Sequence, residues 1–414
     1  MNKHALLAVL VAAGAGTGCG GGGMVPPDGG DGGGGAILAF EQIEVDEGEF
    51  VAFSFLPGTT DELLLGLQSG EIVHYRLDGT TTERLGSFFV PELREITDCG
   101  LLAIEADPDW PTNRFVWASH CGADLESKVT RLTFDGESYD GVDETASVIL
   151  SIEEPDSTNP RIHSISNILF EDDGTMVLGL GDKSFRDNGQ DFRSTKASIL
   201  RIVPNRDPDG DGYTIPEDNP FADGVDGAPE LLAKGLRNPF RIAFGPEGRV
   251  WIADIGEVDF EEINLLGDPV MNFGWPRCEA NRCRMSVQDH VRPITSWPRN
   301  ENHPYFEDDP DTEPTNRRSS WIGEAYQGGS NDRYAGELDG LVGFGDLCLG
   351  WVRGISADAE GEIEVDRFLG HLPFIVNWRQ GPDGYLYATT FNSCDSARPI
   401  QPAAFWRVVL ADDD

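Results

Sequence analysis

Four stretches of this chain repeat one design. FEDDGTMVLGLGD ends at Asp182, FGPEGRVWIADIGE at Glu257, QGPDGYLYATTFN at Asn392 and ADPDWPTNRFVWASH at His120. Each opens on an acidic or proline-bearing turn, usually with glycine. Each then runs into a strand that alternates large apolar with small or polar residues. TTDELLLGLQSGEIVHYRLDG, residues 59 to 79, adds a hairpin of the same kind. No long run keeps the 3.6-residue spacing of an amphipathic helix, and 50 glycines and 26 prolines punctuate the apolar bursts. The chain therefore reads as all-β. The turn glycines Gly174 and Gly248 lie 74 residues apart, and Gly248 and Gly384 lie 136 apart, about twice that. A recurring unit of several short strands predicts a β-propeller. Residues 40 to 412 are 373 residues, which at about 60 per four-stranded blade makes six blades. A pair of sandwiches or a solenoid accounts less well for large loops between unequal repeats.

The N-terminus reads as an export signal. Lys3 and His4 are followed by an uncharged apolar core, Ala5 to Ala13, too short to span a bilayer. Cys19 in GTGCG resembles a bacterial lipoprotein cleavage site, with Gly16 where leucine is usual. GGGGMVPPDGGDGGGG, residues 20 to 35, has almost nothing to bury and reads as a tether. The expected organisation is a signal over 1–18, a lipidated Cys19 with a Gly-rich tether over 19–36, and a propeller over 37–414. Such a protein is exported and sits in the cell envelope, touching membrane through its lipid alone.

Charge narrows the partners. Seventy-two acidic against 31 basic residues give a formal net charge of −41. That repels nucleic acid and anionic lipid. The acid is spread along the chain, as on a solvated surface. Six cysteines remain beside Cys19, an even number in an exported chain. Cys278 and Cys283 enclose four residues and are expected to close on each other. Cys99 and Cys121 flank one strand-turn-strand segment, and Cys348 and Cys394 are the third pair. No CxxC occurs, which argues against zinc.

Two places carry chemistry. His163, one of seven histidines, stands just before a repeat strand. In a propeller that puts it near the axis, as a packing residue, a metal ligand or a general base. NRDPDGDGYTIPEDNP holds Asp207, Asp209 and Asp211 before Gly212. Alternating carboxylates followed by glycine suit calcium. The twelfth loop position is Asp218 rather than Glu, so the expectation is a short Asp-rich loop.

Longer segments resemble a known family. CGLLAIEADPDWPTNRFVWASH, HSISNILFEDDGTMVLGLGD, DNGQDFRSTKASILRIVP, YTIPEDNPF, KGLRNPFRIAFGPEGRVWIADIGEVDFEEIN, NFGWPRCEA and YQGGSNDRYAGELDGLVGFGDLCLG occur in order. Together they are similar to segments of the glucose/sorbosone dehydrogenase family, six-bladed propellers that include soluble quinone-dependent sugar dehydrogenases. The resemblance implies oxidation of an aldose at its anomeric carbon with pyrroloquinoline quinone (PQQ) and calcium, and electrons passing to an external acceptor. It implies His163 as base, Arg237 and Asn238 as quinone contacts, and Asp98 and Gln190 as sugar contacts. It also implies the loop at Gly256 and Glu257 as a calcium holder. A non-catalytic propeller binding a glycan or protein partner is the alternative.

The chain departs from the pattern. Ile165 and Ser166 replace glycines after the histidine. Phe374, Ile375 and Val376 stand where quinone-dependent relatives place arginines, and Cys348 or Leu349 where they place a lysine. Arg379 and Arg353 are the nearest candidate substitutes. An enzyme needs at least two cations besides Arg237 near His163. A binding module could instead show a mouth of Trp275, Trp321, Trp351 and Trp378.

Overall fold

The computed structural model describes residues 37–96, 99–123, 125–153, 163–267, 270–307, 317–394 and 401–411. The signal, Cys19 and the tether lie outside the described residues, as does Asp98.

The chain forms six blades, each built on four antiparallel strands, with two short strands, Tyr213–Thr214 and Met271–Asn272, added to the third. The first takes Phe50–Phe55, Glu62–Leu67, Glu71–Asp78 and Thr81–Phe89. The second takes Leu101–Ala106, Phe115–Cys121, Ser127–Thr133 and Ser147–Ile152. The third takes Ile165–Phe170, Met176–Leu180, Ser198–Pro204 and Leu231–Lys234. The fourth takes Pro239–Phe244, Val250–Asp254, Phe260–Leu265 and Thr295–Pro298. The fifth takes Ser320–Ala325, Val342–Asp346, Trp351–Ala357 and Ile363–His371. The sixth is made from both ends of the chain. Ile375–Gln380, Leu386–Thr390 and Ala404–Leu410 are completed on the outside by Leu38–Ile43. This is the all-β, six-bladed propeller that the repeats predict. Among the described residues, α-helix is confined to the single turns Trp110–Asn113 and Pro304–Glu307.

The repeated sequence design has one structural place. In the second, third, fourth and sixth blades it is the turn from innermost to second strand, followed by that second strand. Gly174, Gly248 and Gly384 have φ of 84°, 73° and 88° at these turns, a left-handed backbone that glycine adopts without Cβ strain. The second strands Phe115–Cys121, Met176–Leu180, Val250–Asp254, Val342–Asp346 and Leu386–Thr390 are buried at every residue. Neighbouring blades stack on both faces, so these strands need small residues between large ones. Trp321, Trp351 and Trp378 belong to this core. They are no more than 2 % exposed, so they do not line a mouth.

The six innermost strands surround an axis that is closed by side chains. Arg241 donates to carbonyls of the second residue of five innermost strands. Nε reaches Val376 O (2.5 Å), Nη2 reaches Val51 O (2.8 Å) and Leu102 O (3.5 Å), and Nη1 reaches Ser166 O and Phe240 O (3.3 Å). Further along the axis Arg379 pairs with Glu105 and with Glu324 (2.8 Å). Burial foremost, against the pull of Arg379, pushes Glu105 up to about 7. Only a cavity of about 20 Å³ remains there, room for about one water.

All three expected disulfides form, Cys99–Cys121, Cys278–Cys283 and Cys348–Cys394.

Candidate active site

His163 stands two residues before the innermost strand of the third blade. Ile165 pairs with Leu180 across the hairpin, and counting two residues outward from that pair puts Asp182 opposite His163. The side chains meet there: His163 Nδ1 lies 2.7 Å from Asp182 Oδ1. The backbone N–H of Ser184 reaches the same oxygen at 2.7 Å, and Trp275 Nε1 reaches Oδ2 at 3.0 Å. Burial works against the charge of Asp182. The facing imidazole, its hydrogen bond, Arg237 and the Ser184 N–H outweigh it and hold the carboxyl below its usual range. An ionised carboxylate accepts a hydrogen bond from Nδ1–H and leaves Nε2 as the nitrogen with the free lone pair. Nε2 makes no hydrogen bond among the described residues and is not sealed from solvent. His163, Lys183 and Ser184 have φ of 67°, 53° and 58°. Left-handed non-glycine residues gathered at one point mark a place the surrounding structure holds against local preference.

Arg237 and Asn238 occupy the same position in the fourth blade. Pro239 pairs with Asp254, and Asp254 accepts both backbone N–H groups, from Arg237 at 2.9 Å and Asn238 at 2.6 Å. Burial, only partly offset by those two bonds, pushes Asp254 up to about 7. Arg237 Nη1 donates to Ile255 O (3.0 Å) and Gly256 O (2.9 Å), and its guanidinium lies 5.8 Å from the Trp275 ring. The Asn238 amide makes no hydrogen bond among the described residues. Glu279 Oε1 gathers the N–H groups of Glu257 (2.6 Å), Val258 (3.0 Å) and Asp259 (3.4 Å), which fixes the turn after Gly256. The carbonyls of Ile255 and Gly256 each keep a second lone pair, which a calcium ion could take. The Glu257 carboxylate is paired with Arg186.

Gln190 is committed to structure. Its Nε2 donates to Asn272 Oδ1 (3.0 Å) and Trp275 O (2.8 Å), and its Oε1 accepts from Asn272 Nδ2 (3.0 Å). It thereby holds Trp275 against Asp182, and sugar contact requires it to give up one of these bonds. Asp98 lies outside the described residues, and its neighbour Cys99 lies within them. The Cys99–Cys121 sulfurs lie 3.9 and 3.5 Å from Ser164 Oγ, and the buried Lys183 Nζ donates to that hydroxyl at 2.9 Å.

The loop of Asp207, Asp209 and Asp211 is organised differently from the expectation. Its carbonyls converge, not its carboxylates, and they converge on Arg131. The guanidinium donates to Asn205 O, to Pro208 O at 3.0 Å and to Gly210 O at 3.0 Å. Asp207 Oδ1 instead accepts the Asp209 N–H (3.1 Å). Among the described residues the one group of three His, Cys, Asp or Glu side chains close enough to share a metal is Cys278, Cys283 and His290. Its sulfurs are spent in a disulfide.

The family's cation positions are apolar here too. Phe374, Ile375 and Val376 are buried in the core, with Cys348 in its disulfide and Leu349 among aromatic rings. Arg379 is held by Glu105 and Glu324, and Arg353 by Asp366 (2.7 Å). Cations around this site among the described residues include Lys183, on Ser164, Arg186, whose guanidinium lies 5.3 Å from the Trp275 ring, and Arg318, two residues before the innermost strand of the fifth blade and acting on Asp346.

The Arg237 and Arg186 guanidinium groups face the Trp275 ring, and the indole N–H holds the carboxylate that anchors His163, a donor-rich lining whose chemistry suits a flat ligand with oxygen acceptors. Sequence reasoning missed Asp182, Asp254 and Glu279. Asp182 was within reach, since LGLGD ends the strand that must pair back on the histidine.

Comparison with known proteins agrees with the fold. Aldose sugar dehydrogenase YliI of Escherichia coli is 23% identical over 359 residues, covering 85% of this chain and 89% of that one. Quinoprotein glucose dehydrogenase B of Acinetobacter calcoaceticus is 25% identical over 219 residues, 46% of this chain and 42% of that one. The PQQ-bound aldose sugar dehydrogenase of Streptomyces coelicolor superposes with a TM-score of 0.69 at 17% identity, covering 94% of this chain and 100% of that one. The family model for glucose/sorbosone dehydrogenase matches residues 49–396, and the chain belongs to that family.

Proposed function

We propose that this protein is a PQQ-dependent sugar dehydrogenase that oxidises an aldose at its anomeric carbon and passes the electrons to an external acceptor. The observation that carries this reading is the His163–Asp182 pair, with Nδ1 anchored and Nε2 open. The quinone, when bound, supplies the two-electron acceptor that no protein side chain can provide. Arg237 and Asn238 would hold its oxygens, over the Trp275 ring, with calcium at the carbonyls of the Ile255–Gly256 turn. His163 Nε2 takes the proton of the anomeric hydroxyl as its carbon is oxidised to the lactone level. Asp182 holds the productive tautomer and stabilises the imidazolium that forms. Trp275, pinned by Gln190 and Asp182, walls the site against water. Asp98, just before the disulfide under Ser164, and Gln190 are the candidate sugar contacts. Export and a lipid on Cys19 would place the enzyme in the cell envelope.

The test is reconstitution of the purified protein with PQQ and calcium, followed by dye reduction with a panel of aldoses. Turnover that His163→Ala lowers at least a thousandfold is expected. Tight quinone binding without turnover on any aldose refutes the dehydrogenase reading and leaves a binding module.

A further inference from the structure

The face of the propeller opposite His163 carries a second cleft, between the first two blades. Its volume is about 600 Å³, within the range of small-molecule sites. Residues 57–59 and 110–114, the turns from innermost to second strand, form two of its walls. Residues 135–139, between the third and fourth strands of the second blade, form another. His163 and Arg237 stand before their innermost strands, at the other end. An innermost strand such as Leu101–Ala106 has six residues and spans about 20 Å, which separates the two places.

The charges of the cleft are already matched. Arg76 donates from Nη2 to Glu62 (3.0 Å) and from Nη1 to Glu83 (2.8 Å). Asp135 Oδ1 accepts the N–H groups of Ser138 (2.7 Å) and Glu137 (2.8 Å). Those bonds foremost, and the Arg114 charge after them, hold its carboxyl below the usual range. The Arg114 guanidinium lies 4.4 Å from the Trp110 ring. An anion meets Glu62, Asp135 and Glu137, and a cation competes with Arg76 and Arg114. A neutral ligand breaks none of these pairs.

A buried imidazole fixes the phenol in the wall. His74 is 0 % exposed. Its Nε2 lies 3.4 Å from Glu62 Oε2 and its Nδ1 lies 3.0 Å from Tyr139 Oη. Burial, against the pull of Glu62, lowers the His74 pKa, so the ring is neutral and carries one N–H. A carboxylate only accepts, which puts that proton on Nε2. Nδ1 then accepts the Tyr139 O–H, and the phenol oxygen is left as an acceptor. Gly86 gives the ring its room: a Cβ there would stand 2.3 Å from it.

From this lining we infer that the cleft is a second binding site, for a neutral saccharide. A sugar ring carries hydroxyl donors and acceptors on its edge and apolar C–H groups on its faces. Arg76 and Arg114 offer donors, and Asp135 and Tyr139 offer acceptors, between the apolar walls of Pro57, Leu85 and Pro111. A sugar held there stands a strand's length from His163, so it is bound and not oxidised. The site is independent of the quinone reading.

The experiment is calorimetry on the full chain with methyl glycosides and borohydride-reduced di- and trisaccharides, none of which has a free anomeric hydroxyl to oxidise. The wild type is expected to bind at least one of them with a Kd of about 1 mM or below. Tyr139→Phe removes the phenol oxygen, and Asp135→Asn keeps the Oδ1 acceptor of the turn while changing the outer oxygen to an amide nitrogen. Each is expected to weaken binding about fivefold, the equivalent of one hydrogen bond of about 1 kcal/mol, and the double variant about 25-fold if the two losses add. His163→Ala is expected to bind as the wild type does. Thermal melting checks that each variant is folded. Binding that both cleft variants leave within twofold, or that His163→Ala abolishes, puts the sugar in the mouth and overturns the inference. No binding of any of these sugars at about 20 mM overturns it as well. A lysine-rich peptide that binds where no saccharide does, with affinity lowered by Asp135→Asn, assigns the cleft to a cationic partner and overturns the saccharide class.

Discussion

Replacing Asp182 with asparagine tests the catalytic pair directly, because the change keeps the shape and removes the charge. The imidazole and carboxylate meet at 2.7 Å, with charge centres about 4 Å apart. At an effective dielectric of about 20 that separation is worth about 4 kcal/mol to the imidazolium form, or about three decades in rate if the whole of it acts in the transition state. The asparagine carbonyl returns part of this as a neutral hydrogen bond, so a loss of about 10² to 10³ in kcat/KM is expected, carried by kcat. The substitution also costs stability. Both carboxylate oxygens are acceptors, one to His163 and Ser184 and the other to Trp275 Nε1, and an amide has one acceptor atom. Either orientation turns a donor on a donor, about 1 to 3 kcal/mol. The folded pKa of Asp182 is depressed, so its contribution is present above the unfolded value of about 3.8 and is lost as pH falls through the lower folded one. The melting temperatures of the wild type and Asp182→Asn should therefore converge only below about pH 4. Steady-state dye reduction and melting curves across pH measure both effects. A variant that melts lower but keeps kcat/KM within threefold refutes the argument, because it makes the pair structural and leaves His163 without a role as base.

Three further outcomes are expected. Burial first, with the neighbouring Asp254 second, raises Glu262 to about 8, and burial raises Asp254 to about 7. The folded state then holds protons the unfolded chain releases, and stability falls as pH rises from about 5 to 8. Glu262→Gln should flatten that decline in melting temperature, and an unchanged slope would show that the pair is ionised in the fold. The paired change Cys99→Ser with Cys121→Ser opens a loop of sequence separation 22, worth about 3 kcal/mol in urea titration; a loss under 1 kcal/mol would show that the loop is constrained without the bond. Arg131→Met should destabilise by about 3 kcal/mol, because it strands three carbonyls. Millimolar calcium should not restore the loss, and full restoration would return the Asp207–Asp211 loop to the metal.

Much of the fold was legible because a blade is written in a local code. The turn glycine, the period of two and the small-large alternation of the second strand all fall within about fifteen residues, and each reports a face that must be buried. The three disulfides were legible for the same reason, from few cysteines and short spacings. The site was legible in part. His163, Arg237 and Asn238 stand in motifs, but what holds them does not. Asp182 needed the hairpin register, and Glu279 acts through the backbone of a turn 20 or more residues earlier. Arg131 and Arg241 look like ordinary strand residues, since a guanidinium that serves carbonyls from other blades leaves no pattern in its own. The aspartate loop stays ambiguous from its pattern because alternating acids suit calcium and also suit turn capping, and in the fold its carbonyls are taken by Arg131. Of the four tryptophans named for a binding-module mouth, Trp321, Trp351 and Trp378 pack into the blade stacks, and Trp275 stands at the site.

The sixth blade sets a timetable. Its outer strand, Leu38–Ile43, is among the first parts of the propeller to be synthesised, yet its partner Ala404–Leu410 is among the last; Glu41 and Arg407, which pair across the seam, are 366 residues apart. At about 5 to 20 residues per second, the early strand waits about 20 to 70 s for an edge to join. Five blades can stack in that interval, but the ring cannot lock. A chain that cannot close until its end has been made stays an open ring while it is being made.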